Sequence, residues 1–136
     1  MFYEGITKRT EMDKNGADKS VTEKWLVDSC TFFAEAEVKL LEEWNNECEV
    51  IALKQSKLRE MINERTDDEQ DIYLATIEDI FIDENSGEEK ATKYIVGLFA
   101  KSLEQATRET IKYMQQGISD MNLVKVQRTK IVEVLK

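Results

Sequence analysis

Val21, Trp25 and Val27, and later Tyr94, Val96 and Leu98, recur with period two, which predicts strands. Each run follows a turn, Asp13-Lys14-Asn15-Gly16 in the first case and Asp83-Glu84-Asn85-Ser86-Gly87 in the second. The Asn-Gly and Ser-Gly steps supply the positive φ that tight hairpins need, so both segments predict β-hairpins. The period then changes to that of a helix. From about Phe32 to Asn46, Phe33, Ala36, Leu40, Leu41 and Trp44 fall on one stripe, with Glu35, Glu42 and Glu43 largely on the other. A second helix opens with the capping-box spacing of Ser102 and Gln105, turns Leu103, Ala106, Thr110 and Met114 inward, and stops at Gly117. A basic strand follows each helix, Lys54 to Glu60 in one case and Gln127 to Glu133 in the other.

The order of elements is the same twice. Phe2 to Ile62 can be laid over Ile72 to Leu135, with Phe2-Tyr3 on Ile72-Tyr73 and Thr22 to Val27 on Ala91 to Val96, which makes Trp25 the counterpart of Tyr94. The expected fold is α+β: tandem duplicated ββαβ units packed pseudo-symmetrically, a mainly antiparallel sheet with two helices. It is expected to form a single domain over residues 1–136, with repeat 1 at about 2–62, a linker at 63–70 and repeat 2 at about 71–136. Neither half is expected to stand alone, since about sixty residues leave a sheet face or edge uncovered. The pattern leaves open whether the halves share one sheet. Asn63 to Gln70 contains no apolar residue and is expected to be a flexible connector. With no Pro in the chain, edge protection must come from charge, burial or self-association, so a homo-oligomer made by edge pairing is one expected assembly.

Charge narrows the function classes. Nineteen Lys and Arg stand against 28 Asp and Glu, a net of −9 in 136 residues, which disfavours general attraction to phosphate backbones and anionic lipid. No run approaches the roughly 18 apolar residues that span a bilayer, and Met1-Phe2-Tyr3-Glu4 lacks the features of a signal peptide, so no membrane partner and a cytoplasmic location are expected. Only Cys30 and Cys48 are present, too few for a disulfide framework or a cysteine zinc site. The absence of His removes the commonest general base and metal ligand. There is no Gly-rich phosphate loop and no nucleophile elbow. A non-catalytic protein without cofactor or metal is expected.

Two surfaces are candidates for binding. The acidic one comprises Glu35, Glu42, Glu43, Asp67, Asp68, Glu88 and Glu89, and complementary charge there would speed association with a cationic protein. The basic one comprises Lys54, Lys57 and Arg59 in the first basic strand and Lys125, Arg128 and Lys130 in the second. If these cations converge, they make a groove for single-stranded nucleic acid or a phosphorylated nucleotide, with Tyr3, Tyr73, Trp25 or Tyr94 available to stack on bases. The competing reading makes them guards against edge-to-edge aggregation. Phe33, Trp44, Phe81 and Phe99 fall on predicted inward faces and are expected to pack the core. Asp83, Asn85, Gly87 and Glu88 have the look of a calcium loop, but the bidentate Glu is misplaced and a hairpin turn is expected. Asp67, Asp68, Glu69 and Asp71 read as a solvated linker.

Val21-Thr22-Glu23-Lys24-Trp25-Leu26-Val27-Asp28-Ser29, followed by Thr31-Phe32 and Glu35-Ala36-Glu37, resembles a family pattern V-T-E, aromatic, L-V-D-A, then S-F and E-A-E. Asp83 to Lys90 resembles that family's acidic turn D-E-K-S-G-K-E-K, and Thr129 to Leu135 its closing T-P-I-V-D-V-F strand. The family is a domain of unknown function from Bacteroidetes genomes, their mobile elements and tailed phages, including crAss-like phages. This chain departs from it by one extra residue between Asp28 and Glu35, Lys130 in place of Pro and Glu133 in place of Asp. The resemblance implies a small intracellular accessory protein of a phage or integrated element, and supplies no catalytic residue. The expected function is therefore binding to a host protein, with antagonism of a defence nuclease as its form. The alternatives are a nucleic-acid-binding accessory protein or a nucleotide-signal sponge.

Overall fold

A computed structural model describes residues 1–117 and 120–136. Its elements are β1 (Tyr3–Met12), β2 (Asp18–Val27), α1 (Phe33–Glu43), β3 (Glu49–Gln55), β4 (Leu58–Met61), β5 (Asp71–Ile82), β6 (Glu89–Ala100), α2 (Leu103–Gln115), β7 (Asp120–Arg128) and β8 (Ile131–Leu135). The class is α+β, with two helices and eight strands in two mixed sheets. The ββαβ expectation falls one strand short in each half, because the basic strand breaks in two. Ser56 N–H turns to the Phe2 carbonyl at 2.9 Å, and Thr129 N–H to the Ile72 carbonyl at 3.0 Å. Past each break the chain leaves for the other sheet, β4 pairing with β6 and β8 with β2. The chain accordingly divides into two compact units that do not coincide with the halves of the sequence: Met1–Ser56 with Lys130–Lys136, and Lys57–Thr129.

The first unit has strand order β3-β1-β2-β8. β1 pairs antiparallel with β2 and β3, and β8 joins parallel to β2. The hairpin turn is built by Asp13, whose carboxylate accepts the N–H groups of Asn15 at 2.8 Å and Ala17 at 2.9 Å, with Gly16 at φ 78°. Tyr3, Trp25, Val27, Ala36 and Leu40 form the core under α1, joined by Trp44, Val50, Leu53 and Leu135. Gly5 lies opposite Trp25 in the ladder, and the missing side chain there makes room for Leu40.

The second unit has order β4-β6-β5-β7, with β5 antiparallel to β6 and β7, and β4 parallel to β6. Asp83 builds its turn as Asp13 does, accepting Asn85 N–H at 2.8 Å and Ser86 N–H at 3.2 Å. Tyr73, Ala75, Ile77, Val96, Leu98, Ala100 and Ala106 form its core. The expected cap is present: Gln105 N–H donates to Ser102 Oγ at 3.1 Å, and the Gln105 side chain reaches back one residue past the N-cap to accept Lys101 N–H at 2.7 Å.

Several sequence expectations need correction. Phe33, Phe81 and Leu103 are exposed, each lying at or next to the end of its element, and Phe33 keeps an edge-on contact with the Tyr3 ring at 5.0 Å between centroids. Trp25 lies opposite Gly5 and Tyr94 opposite Ile77, so the register counterpart of Trp25 is Val96, two residues on from Tyr94. Asn63 to Gln70, expected as a connector, makes side-chain hydrogen bonds to the second unit and within itself. The Asn63 side chain exchanges hydrogen bonds with the Phe99 backbone at 2.9 and 2.7 Å, and Gln70 Oε1 accepts the N–H groups of Thr66 and Asp67. Among the described residues, no helix is long and apolar enough to cross a membrane.

Candidate functional site

The candidate acidic residues fall into three places. Glu35, Glu42 and Glu43 are exposed on α1 in the first unit. Asp67 and Asp68 lie in the Asn63 to Gln70 segment of the second unit, and Glu88 and Glu89 where the β5–β6 turn enters β6. They are not equally available. Asp67 is bound to Lys101 at 2.7 Å, and that cation, together with the Glu69 N–H, holds its carboxyl below the usual carboxylate range. Glu35, Glu42 and Glu43 make no ion pair among the described residues. Glu42 and Glu43 also line, with Lys39, Val134, Leu135 and Lys136, a cleft of about 430 Å³ between α1 and the end of β8.

The candidate basic residues do not gather within either unit. In the first, Lys54 lies on edge strand β3 while Lys130 precedes edge strand β8 at the far side of the sheet. In the second, Lys57 and Arg59 lie at the β4 edge, and Lys125 and Arg128 on β7 at the opposite edge. Three strand spacings separate such edges, about 14 Å. Arg128 is paired with Asp71 at 3.1 Å, and the Arg59 guanidinium lies 4.4 Å over the Tyr94 ring. Of the proposed stacking residues, Tyr3, Trp25 and Tyr73 are buried in the two cores. The β5–β6 turn commits Asp83 to backbone N–H groups and to Lys90 at 2.8 Å, which depresses its carboxyl and leaves a structural turn. Among the described residues, no three metal-ligating side chains gather to hold an ion.

Each unit also carries a polar and aromatic cluster at the open end of its helix. In the first, the Arg9 guanidinium stacks 3.9 Å over Trp44 and bonds Glu11 at 2.6 Å and Glu23 at 3.2 Å. In the second, Arg59 covers Tyr94, and the Tyr113 hydroxyl donates to Glu60. Burial, then the negative charge of Glu60, pushes Tyr113 up to about 12, so this hydroxyl is a donor and not a base. A second cleft, of about 170 Å³, lies beside Tyr113 and is lined by Ile62, Asn63, Glu109, Lys112 and Gln116. None of the six candidate cations lines either cleft. Cys48 has its thiol raised by burial, which opposes a nucleophilic role, and Cys30 is buried.

The sequence reading missed the outer side of α1. Ala34 and Val38 are exposed there, Leu41 is half-buried, and Phe32 is exposed at the N-cap. A helical wheel drawn for both helices together would have found it, because α2 carries charge where α1 does not.

The geometry therefore defines a two-sheet α+β protein whose open chemistry is an acidic helix face. The family described as Domain of unknown function (DUF4494) matches residues 1–136, and the chain belongs to it. No curated protein and no solved structure matches the chain significantly.

Proposed function

We propose that the protein is a non-catalytic accessory protein of a phage or mobile element, acting in the bacterial cytoplasm by occupying a basic surface of a host protein. A defence nuclease is the target class, because its nucleic-acid channel is cationic and can be blocked by a surface of opposite charge. One observation carries the reading: Glu35, Glu42 and Glu43 stand exposed on one helix and make no ion pair among the described residues, although Lys39 and Lys136 line the cleft beside Glu42 and Glu43. The net charge of −9 adds long-range attraction to such a partner. The resemblance of the V-T-E and acidic-turn motifs to those of the phage-borne family supplies the phage and mobile-element setting.

The test is purification of the tagged protein from its own host, with and without nuclease treatment. The expected result is a stoichiometric host protein that survives nuclease and dissociates as salt rises tenfold. Co-purifying nucleic acid or nucleotide without such a protein would overturn the reading in favour of the basic strands. A partner indifferent to salt would remove the charge argument.

A further inference from the structure

We propose that the outer side of α1 is a docking seam for a cationic amphipathic helix of the partner protein. The inference rests on the acidic-surface reading and adds to it the kind of segment recognised and the residues that seat it.

Phe33 on Leu103, and the buried pair Ala36 and Leu40 on Ala106 and Thr110, bring α1 and α2 into register. At three places α1 then has the less stable choice. Its N-cap is Phe32, 65% exposed and without a side-chain cap, where α2 has Ser102. Its outward pair is Ala34 and Val38, the latter 50% exposed, where α2 has Glu104 and Arg108 in an ion pair of 2.6 Å. Its last turn ends in Glu42 and Glu43 with no basic residue, against the helix dipole, where α2 places Lys112. The fold does not require these choices, since α2 occupies the corresponding place in its own unit without them.

Together they make a surface of one kind. Ala34, Val38 and Leu41 have the i, i+4, i+7 spacing of a helix-pairing seam, and the small side chain of Ala34 permits close approach. Glu35 and Glu42 flank the seam on one side and Glu37 on the other. The helix carries four glutamates against one lysine, and the Lys39 ammonium is engaged by the Asp28 carbonyl at 3.0 Å. An apolar stripe with acidic flanks is complementary to an apolar stripe with basic flanks. A second copy of this chain would set acid against acid, and anionic lipid would be repelled. The eleven residues of α1 span about 16 Å, enough to seat three turns of a partner helix.

The probe is a leucine–lysine amphipathic helical peptide of roughly four turns, with a leucine–glutamate peptide as control, and binding is read by fluorescence anisotropy and by backbone amide shifts. The full chain is expected to bind the first and not the second, with shifts centred on α1. The double variant Ala34→Glu with Val38→Arg installs the ion pair of α2 without changing net charge or touching the core, and is expected to lose at least about tenfold in affinity, or 1.4 kcal/mol. Equal binding by this variant and the native chain would overturn the seam. In that case, loss of binding in Glu42→Lys with Glu43→Lys would leave the acidic-surface reading standing, and its retention would bring down both. Self-association of the native chain that the double variant abolishes would overturn the proposal in favour of a second copy.

Discussion

The indole N–H of Trp25 donates to the hydroxyl of Thr7 at 3.0 Å inside the core of the first unit, where both residues are almost wholly buried. The two are diagonal neighbours on one face of the β1–β2 ladder, two residues apart in register, Trp25 being registered with Gly5 and Thr7 with Glu23. A Thr at this site is thus the acceptor for the largest polar aromatic in the core. Thr7→Val keeps the shape and removes the acceptor, leaving a buried donor unpaired at a cost of about 1–3 kcal/mol. Thr7→Ser keeps the acceptor and is expected to cost less. Urea unfolding followed by tryptophan fluorescence gives the order of the two.

The two glycines inside strands are not equivalent. A Cβ at Gly5 would run into Leu40, which is fully buried with its other methyl and Leu53 close by, so nothing there can yield cheaply. A Cβ at Gly97 would meet first the sulfur of Met61, a flexible and only half-buried side chain. Gly5→Ala is therefore expected to cost about 1–3 kcal/mol from overpacking, and Gly97→Ala less. Thermal midpoints of the two variants check the order, and a reversed order would show that Leu40 can be displaced.

Tyr113 makes stability depend on alkaline pH. Its folded pKa, raised to about 12 by burial and by donation to Glu60, lies above the unfolded value of 10. The folded state holds this proton where the unfolded state has lost it, so the contribution is complete below pH 10 and disappears as pH rises towards 12. Tyr94 is raised in the same direction, first by burial. Tyr113→Phe is expected to flatten the loss of stability between pH 10 and 12, and ultraviolet titration of the native chain should contain a tyrosine step that this variant lacks.

Much of the architecture is legible locally. Asp13 with Gly16 and Asp83 with Gly87 encode their hairpins, and Ser102 with Gln105 encodes the start of α2, because the partners lie within a few residues of one another. The strand break is not legible in that way. Ser56 and Thr129 turn the chain by bonding to Phe2 and Ile72, more than fifty residues away, and parallel pairing of β4 with β6 and β8 with β2 is likewise decided at long range. The acidic site was half legible: the charge of Glu35, Glu42 and Glu43 is plain in the sequence, but the apolar seam beside it was hidden by counting Leu41 with the core stripe of Ala36 and Leu40, whereas Leu41 is half-buried beside exposed Ala34 and Val38. Where the candidate cations fall within each unit was not legible for the same long-range reason, since sheet order, which puts their strands on opposite edges, is set by distant pairing.

Phe32 is a site where stability is expected to rise on substitution. It occupies the N-cap of α1 in extended backbone, φ −124° and ψ 153°, with no side-chain acceptor for the first N–H groups of the helix. The accompanying back-contact is already in place, because Glu35 accepts the Thr31 N–H just before the N-cap at 3.4 Å, as Gln105 accepts that of Lys101. Phe32→Ser would add the hydroxyl that Ser102 provides in α2, and little packing is lost because the ring is largely in solvent. The expected gain is about 0.5–2 kcal/mol, read as a higher urea midpoint with an unchanged slope. The reverse change in the other helix, Ser102→Ala, is expected to lose a similar amount. If Phe32→Ser lowers the midpoint, the ring contributes packing to the isolated fold. If it raises the midpoint while weakening the leucine–lysine peptide, α1 gives up helix stability at its first residue for a surface that binds.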